Sequence, residues 1–382
     1  MNFKTEWAKL KVRKKLIDAF KSGKIHLTYK IDEDNERKIF PKIHSVDLAK
    51  ESTTITFTLP NGLNPDLLEK NFFAFQQHFG AGIELEGEYK KFVLKIYNTS
   101  MPSELKYNFT SVKEVIVPFR LGVICGKNRQ GEYVAFDLLK QPHILIAGET
   151  GSGKSTQLRS ILTTFILSKR PEELELYLGD CKKSEFHIFR KVEHVKHVYS
   201  NARDIRKMLE HIKKELDERS DLTEMFEVSH VDELPAEQKR PYLVVCIDEF
   251  VMLRKDEKIM DILTEIAAIG RTLGVFLILS MQRPNAKVLD TTIRANLTVS
   301  MGFKLRDAME SKIVNTPNAH NIETSGRFIM NSDKLYEIQA PYLTMDKAKK
   351  LLGPFMVAKG PVKEVKEVPP QITEKDVFND VN

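Results

Sequence analysis

The sequence predicts an α/β fold in which a parallel sheet carries helices on both faces, with a smaller α+β domain before it. In the second half of the chain, strand-sized apolar runs alternate with helix-length segments, as in HILIA (143–147), ELELYLG (173–179) and YLVVCI (242–247). The first run leads into a glycine-rich loop, and later runs end in polar side chains. Residues 25–118 instead hold short alternating stretches around one helix-like segment.

Composition limits the class of protein. With 382 residues, 42% of them hydrophobic and 29% charged, the chain can form two or three domains with a polar surface. The longest apolar runs, at 242–247 and 275–281, are far shorter than the roughly 20 residues of a membrane span, so we expect no transmembrane segment. The three cysteines have neither disulfide nor zinc-ligand spacing, which favours a cytoplasmic location. The net charge of +6 favours polyanionic partners only weakly.

Residues 1–24 predict a basic amphipathic helix. Lys and Arg outnumber the acids, which are Glu6 and Asp18, and the segment has no apolar core of the kind a secretory signal needs. Its apolar residues recur near helical spacing, and they are Trp7, Leu10, Leu16, Ile17 and Phe20. Such a helix is either solvated and packed on its own domain, or an arm that faces DNA or a membrane surface.

The segment that follows predicts the small α+β domain, which we place at residues 1–118 together with the basic helix. TITFTL (54–59) and FVLKIY (92–97) alternate as half-buried strands do, and LLEKNFFAFQQHF (67–79) is helix-like. No residue pattern here indicates a chemistry. At the other end of the chain, residues 346–382 are rich in proline and charge, which is typical of a flexible tail.

The stretch GETGSGKST (148–156) predicts a phosphate-binding loop. Its motif, G-x-x-x-x-G-K-[S/T], lies between the strand HILIA and a helix, which is the context that the motif requires. Glycines let backbone N–H groups turn towards a β-phosphate, and the helix N-terminus adds its positive dipole end. Lys154 would reach the β- and γ-phosphates of ATP, and the Ser155 hydroxyl would bind Mg²⁺. The predicted nucleotide-binding residues are Gly148, Glu149, Thr150, Gly151, Ser152, Gly153, Lys154, Ser155 and Thr156.

Two later strands carry the other predicted catalytic residues. PYLVVCIDEF (241–250) ends in Asp248, expected to bind Mg²⁺ through its water shell, and Glu249, expected to act as general base. Two acids also end ordinary strands, but the phosphate-binding loop favours the functional interpretation. VFLILSMQ ends in Gln282, either a sensor of the γ-phosphate or a capping residue. Arg271, after the helix predicted at 258–274, is either a surface residue or reaches the nucleotide of a neighbouring subunit.

A parallel sheet binds its ligand at the carboxyl ends of its strands, and the loop, Asp248 and Gln282 all follow strands at that edge. The sequence therefore predicts a P-loop (RecA-like) motor domain at residues 119–345.

The same region resembles the motor domain of the FtsK/SpoIIIE family over residues 120–345. The stretches that carry the resemblance are GKNRQGEYVAFDLLKQPHILIAGETGSGKST, LGDCKKSEF, IDEF, IGRTLGVFLILSMQRP, IRANL and SGRFIM. The resemblance implies a hexameric ring that pumps double-stranded DNA by hydrolysing ATP. By match, Asp180 and Lys182 occupy the family's D-P-K position, Gln282-Arg283-Pro284 its Q-R-P, and Arg271 the arginine at subunit boundaries.

The sequence also departs from the family. Lys312 stands where D-S-R usually has its arginine. Membrane-anchoring helices and a winged-helix reader of DNA polarity are not visible, so we expect no septum anchoring by this chain. This compact form resembles FtsK-like coupling and replication ATPases of mobile elements in Gram-positive bacteria. A relaxase or a membrane channel is then an expected partner, and it would bring the chain to the membrane periphery.

The segment RPNAKVLDTTIRANL (283–297) is the predicted DNA-contacting loop, through Arg283, Lys287 and Arg294. The alternative is a merely solvated loop. A ring motor must contact phosphates rather than base edges at every step, and the lack of aromatic residues favours duplex over single strands. Three functions stay open: a DNA-pumping ATPase, a ring related to type VII secretion ATPases, and a replication or partition factor whose ATPase switches assembly.

Overall fold

The computed structural model describes residues 3–32, 35–49, 52–80, 82–97, 101–285, 289 and 291–357. Its strands are β1 (Leu27–Asp32), β2 (Asn35–Ile39), β3 (Lys42–Leu48), β4 (Ser52–Thr58), β5 (Ile83–Glu88), β6 (Lys91–Tyr97), β7 (Leu105–Lys106), β8 (Gly122–Lys127), β9 (Tyr133–Asp137), β10 (Ile144–Ala147), β11 (Leu174–Asp180), β12 (Val195–Tyr199), β13 (Tyr242–Asp248), β14 (Val275–Met281), β15 (Val299–Gly302), β16 (Arg327–Asn331), β17 (Leu335–Gln339) and β18 (Pro341–Tyr342). Its helices are α1 (Phe3–Ser22), α2 (Asp66–Lys70), α3 (Phe72–Phe79), α4 (Phe109–Ile116), α5 (Lys154–Ser168), α6 (Ala202–Met225), α7 (Glu257–Ile269), α8 (Thr291–Asn296), α9 (Ala308–Ile313) and α10 (Met345–Leu352). Among these residues, no helix is both long enough and apolar enough to cross a membrane.

The larger body is built on a ten-stranded sheet with the strand order β12-β11-β13-β14-β10-β15-β16-β17-β8-β9. The strands from β12 to β15 in this order run parallel, which confirms the predicted parallel sheet. The remaining strands add an antiparallel half that the sequence analysis does not predict. β12 is also not predicted, because VKHVY is short and alternates apolar with polar residues.

Side chains of the central strands alternate between two hydrophobic cores, one on each face of the sheet. On one face, Val244 and Cys246 of β13 share a core with Phe165 of α5. On the other face, Val245 and Ile247 share a core with buried residues of α6 and α7. Strands that are buried on both faces have continuous apolar sequences, as these strands do. The predicted α/β architecture with helices on both faces is confirmed.

Two predicted helices end differently in the structure. α7 ends at Ile269 rather than 274, because the chain leaves the helix through a turn that closes at Gly274, where φ is +70°. The predicted helix 67–79 is split into α2 and α3 at Asn71, whose backbone is not helical (φ −112°, ψ 24°).

The smaller body is the predicted α+β domain. Its antiparallel sheet has the order β3-β4-β6-β5, and α1 packs against α3 and β3. The core includes Leu16 and Phe20 of α1, Phe57 of β4, Phe75 of α3 and Leu94 of β6. The ring of Phe20 makes edge-to-face contacts with Phe57 and Phe75, with centroids 5.2 and 5.9 Å apart. Thus α1 covers the sheet of its own domain with one face.

The boundaries between the two bodies, as their hydrophobic cores define them, differ from the domain boundaries predicted at residues 118 and 345. Tyr107, Val112 and Ile116 lie in the core of the larger body, and β7 pairs in parallel with β18. At the other end, α10 packs on α5 and buries Leu352 in the same core. The larger body therefore includes residues 101–118 and 346–357. Residues 358–382 of the predicted tail lie outside the described residues.

Candidate nucleotide-binding site

The glycine-rich loop joins β10 to α5 and is closely packed from behind. A Cβ atom at Gly148 would lie 2.6 Å from the Cβ of Phe303, and one at Gly153 would lie 2.6 Å from the Cα of Gly326. Gly153 also has a φ of +108°, which side chains other than glycine rarely adopt. The loop conformation therefore needs glycine at both positions, as the motif requires.

Lys154 is the first residue of α5, and its side chain is 4% exposed. Its Nζ donates hydrogen bonds to Oδ1 of Asp248 (2.6 Å) and to Oγ of Ser280 (2.7 Å). The Ser280 hydroxyl also lies 2.7 Å from Oδ1 of Asp248 and donates to it. The Ser280 hydroxyl thus forms hydrogen bonds with both members of the buried ion pair, and buried charges need such partners. Sequence reasoning missed Ser280, although a serine within the apolar run VFLILSM was a usable signal.

Glu249 follows Asp248 directly, and its backbone is left-handed with φ 57°. Its Oε1 accepts the backbone N–H of Gln282 (3.2 Å), and its Oε2 lies 2.8 Å from Nζ of Lys182. Asp180 ends β11 in register with Asp248. The carboxylate of Asp180 accepts backbone N–H groups from residues 184–186 at 3.0–3.1 Å. Asp180 thereby fixes the turn that carries Lys182 towards Glu249.

Gln282 comes directly after β14, beside the phosphate-binding loop. Its Oε1 accepts a hydrogen bond from Oγ1 of Thr150 (3.3 Å). Burial, and then the negative charges of Asp248 and Asp180, raise the pKa of the nearby Cys181 thiol to about 12. Lys154 and Lys182 pair with the carboxylates of Asp248 and Glu249 at this edge of the sheet.

Several of these residues border a cavity of about 730 Å³, a size within the ~300–1,000 Å³ range of ligand pockets. Ser155 and Asp248 lie in its wall together with Lys154 and Gln282. Lys182, of the D-P-K position, and Arg159 of α5 also line the cavity. A second wall, not predicted from the sequence, comes from residues distant along the chain: Ser103, Glu104, Ser325, Gly326, Gln339, Ala340, Pro341 and Tyr342. Nearby backbone contacts hold this wall to the loop, since Gly326 N–H donates to the Ser152 carbonyl at 2.8 Å.

The donor set fits magnesium. Mg²⁺ prefers oxygen ligands, and in phosphate-binding sites it takes one or two protein ligands along with phosphates and waters. The hydroxyl of Ser155 and the carboxylate of Asp248 supply such oxygens in one cavity. Among the described residues, no group of three or more His, Cys, Asp or Glu side chains could hold a metal ion by itself.

The other predicted residues lie apart from this cavity. Arg271 is exposed in the turn before β14, whereas Gln282 follows the same strand. At about 3.3 Å per residue, the two are separated by roughly 20 Å, so Arg271 does not reach the site of its own chain. Arg283 and Arg294 are exposed, and Arg283 lines a groove at the carboxyl edge of the sheet with Arg254 and Lys255. Lys287 lies outside the described residues.

The phosphate-binding loop, the buried lysine–carboxylate pair and their place at the carboxyl edge of a parallel sheet define a P-loop nucleoside-triphosphatase domain. Residues 117–286 match the FtsK/SpoIIIE family. The chain therefore carries an FtsK/SpoIIIE family domain, as its motifs predict.

Among known proteins, the chain is similar to the DNA translocase FtsK of Borreliella burgdorferi, with 32% identity over 61% of this chain and 30% of that protein. The DNA translocase FtsK of Streptomyces avermitilis is 28% identical over 59% of this chain and 27% of that protein. The chain thus spans less than a third of the length of these relatives. The structure of the pCW3 conjugation coupling protein TcpA, in monomer form with ATPγS, matches 83% of this chain and 94% of its own, with a TM-score of 0.61 and 25% identity. The cytoplasmic domain of the type VII secretion ATPase EccC of Thermomonospora curvata shares the fold, at 23% identity over 63% of this chain and 32% of that one, with a TM-score of 0.56.

Proposed function

We propose that this chain is an ATP-driven DNA translocase of FtsK/SpoIIIE type, which hydrolyses ATP and moves double-stranded DNA through a ring of its own copies. The observation that carries the proposal is the convergence of Lys154, Asp248 and Gln282 around one cavity within an FtsK/SpoIIIE domain, with Glu249 bonded to the Gln282 backbone beside it. The matching curated relatives are named DNA translocases, which supports DNA as the substrate.

Lys154, Ser155, Asp248, Glu249 and Gln282 each have a role in the proposed hydrolysis. The N–H groups of the loop and the Nζ of Lys154 bind the β- and γ-phosphates. Ser155 and Asp248 would hold Mg²⁺, which neutralises phosphate charge when bound. Glu249 takes a proton from the attacking water, and its contact with the Gln282 backbone keeps its carboxylate at the strand edge. The Gln282 side chain, placed against the loop, senses the γ-phosphate.

DNA contact is proposed for the carboxyl edge of the sheet. Arg283 is exposed there, and Arg254 and Lys255 extend the positive charge next to it. Arg294 is exposed on α8, which leads towards the amino end of β15. Arginine and lysine bind the DNA backbone without reading its sequence. A hexameric ring in the cytoplasm is the form in which we expect the motor to act.

A second candidate is a conjugative coupling protein, which would meet a relaxase or a membrane channel. The likeness to TcpA covers 83% of this chain, more than the larger body contains, so it includes part of the N-terminal domain. Similarity that extends beyond the motor domain favours a function shared with TcpA, and not only a shared motor fold.

The test is ATP turnover by the full chain with and without DNA. We expect duplexes of equal length and unrelated sequence to stimulate turnover alike, and the stimulation to fall steeply with salt because counterions are released on binding. Turnover that DNA leaves unchanged would contradict the translocase and favour an assembly switch. Stimulation by single strands alone would favour a coupling protein that handles a relaxase-bound strand.

A further inference from the structure

The helix α1 has a second apolar face that points away from its domain. Trp7, Leu10 and Ile17 are 56%, 62% and 38% exposed, and they recur at i, i+3 and i+10, along one side of a helix. Exposed lysines lie along the same side, including Lys11 and Lys14. The Nζ of Lys11 stacks 3.5 Å from the ring centroid of Trp7. This cationic apolar face is distinct from the face that buries Leu16 and Phe20, because those residues lie in the domain core.

The same domain carries a groove of the opposite charge. The groove has a volume of about 660 Å³ and is walled by apolar side chains of α2, α3 and β5, among them Phe72 and Leu85. Arg129 of the larger body also lines it, and its guanidinium is paired with Glu337. Asp66, Glu69 and Glu88 line its rim and are exposed. Within the part of the chain that the structure describes, these acids form no ion pair. We call this site the acidic groove.

The two surfaces belong to different elements of one domain. The strand order is β3-β4-β6-β5, α1 packs on β3, and the acidic groove includes residues of β5. α1 also packs on α3, which walls the acidic groove, but the cationic apolar face of α1 points away from this packing and so does not enter the groove of its own domain. In neighbouring copies, however, such surfaces can join head to tail, and repeated head-to-tail contacts close into rings.

We propose that the cationic apolar face of α1 docks in the acidic groove of a second copy of this chain. Trp7 and Leu10 supply the apolar anchor, and Lys11 and Lys14 pair with the rim acids, so charge and apolar character match on both sides. This contact would be a further interface in the ring assembly proposed above. The N-terminal domains make it, and it does not depend on the nucleotide.

Trp7 is the single tryptophan of the chain, so its fluorescence reports this contact directly. As the wild-type chain is concentrated, we expect the emission to shift to shorter wavelength while light scattering shows self-association, because docking removes the indole from water. The variant Asp66→Lys/Glu69→Lys keeps Trp7 but should weaken self-association by about tenfold or more. The matched control, Lys207→Glu/Lys214→Glu, alters two exposed lysines of α6 and should behave like the wild type.

A charge swap decides between this contact and a general charge effect. Lys11→Glu/Lys14→Glu should also abolish self-association by itself, yet an equimolar mixture with Asp66→Lys/Glu69→Lys should restore it, since each variant then meets a complementary partner. Binding of a fluorescent ATP analogue by each variant shows that the motor is folded, so loss of ATPase function and loss of the contact are separate readouts. A mixture that stays dissociated would overturn the proposal. So would a Trp7 shift that appears only with anionic lipid vesicles or DNA, which would assign the face to those surfaces.

Discussion

Lys154 and Glu249 lie at the same edge of the sheet but serve different stages of the proposed reaction. Lys154 binds phosphate charge that is present before reaction, whereas Glu249 acts on water chiefly in the transition state. We expect Lys154→Ala to weaken ATP binding by about 10- to 100-fold. Glu249→Gln should keep ATP binding and lower turnover by about 10²- to 10⁴-fold. Equilibrium binding and single-turnover assays separate the two effects, and wild-type turnover in Glu249→Gln would remove Glu249 from the role of general base.

The same lysine also stabilises the fold. Lys154 and Asp248 are 4% and 3% exposed, so Lys154→Ala leaves a buried carboxylate without its ion pair. Loss of one partner of a buried pair costs about 3–5 kcal/mol. We expect urea unfolding to show a loss of this order, and Asp248→Asn added to Lys154→Ala should recover most of it by removing the unpaired charge. If the double variant is no more stable than Lys154→Ala, the ion pair is not the source of the loss.

At the scale of the strand, His143 makes the sheet sensitive to acid. Its Nδ1 accepts the Leu277 N–H of β14 at 3.0 Å, and burial lowers its pKa to about 4. The unfolded chain has a histidine pKa near 6.5. As pH falls from about 6.5 to 4, this histidine therefore binds a proton in the unfolded chain but not in the folded chain. Stability from this group is therefore complete above that window and lost within it.

His143→Asn tests this prediction. Asparagine keeps a hydrogen-bond acceptor and tolerates the left-handed backbone at this position, where φ is 62°. Between pH 7 and pH 5, urea unfolding of the wild type should lose about 2 kcal/mol more than that of His143→Asn. Other buried histidines, such as His194, titrate in both proteins and cancel in the comparison. Equal losses would show that His143 does not control the acid response.

Elements that can be predicted here are those whose signal is local in the sequence. The loop at 148–156 and the strand that ends in Asp248 carry their pattern in adjacent residues, and both lie where the sequence places them. The antiparallel strands β16 and β17 carry no such pattern, and their place in the sheet depends on contacts with β15 and β8. The second wall of the cavity was missed for the same reason, since its residues meet the loop only through the folded chain.

At the scale of the whole molecule, Arg271 can act only across a subunit boundary. It precedes β14, at the edge of the sheet opposite the cavity, where Arg219 donates to the carbonyl of Leu273 at 2.9 Å and holds the turn. We expect Arg271→Ala to bind ATP normally but to hydrolyse it about 10³-fold or more slowly, as when an arginine supplied by a neighbour is lost.

Mixing experiments check the position of this arginine. Arg271→Ala mixed with Glu249→Gln should recover part of the activity, because some boundaries then pair an intact arginine with an intact Glu249. Arg206→Ala, in which another exposed arginine is lost, serves as a control and should need no rescue. A chain that stays monomeric by light scattering with ATP and duplex DNA present would contradict the prediction.

The pairing of β7 with β18 lies between the nucleotide cavity and the N-terminal domain. Ser103 and Glu104, just before β7, line the nucleotide cavity, as do Pro341 and Tyr342 of β18, and β7 is also where the chain arrives from the N-terminal domain. At this point the chain is held by a two-residue ladder, extended by the Tyr107 N–H to the Tyr342 carbonyl at 3.1 Å, and by Arg327, which donates to the Pro102 carbonyl at 3.2 Å. Suppose a ligand of the N-terminal domain displaces β7 and so changes ATP affinity by some factor. Thermodynamic reciprocity then requires ATP to change the affinity for that ligand by the same factor. The short ladder would thus couple ATP binding and ligand binding in both directions.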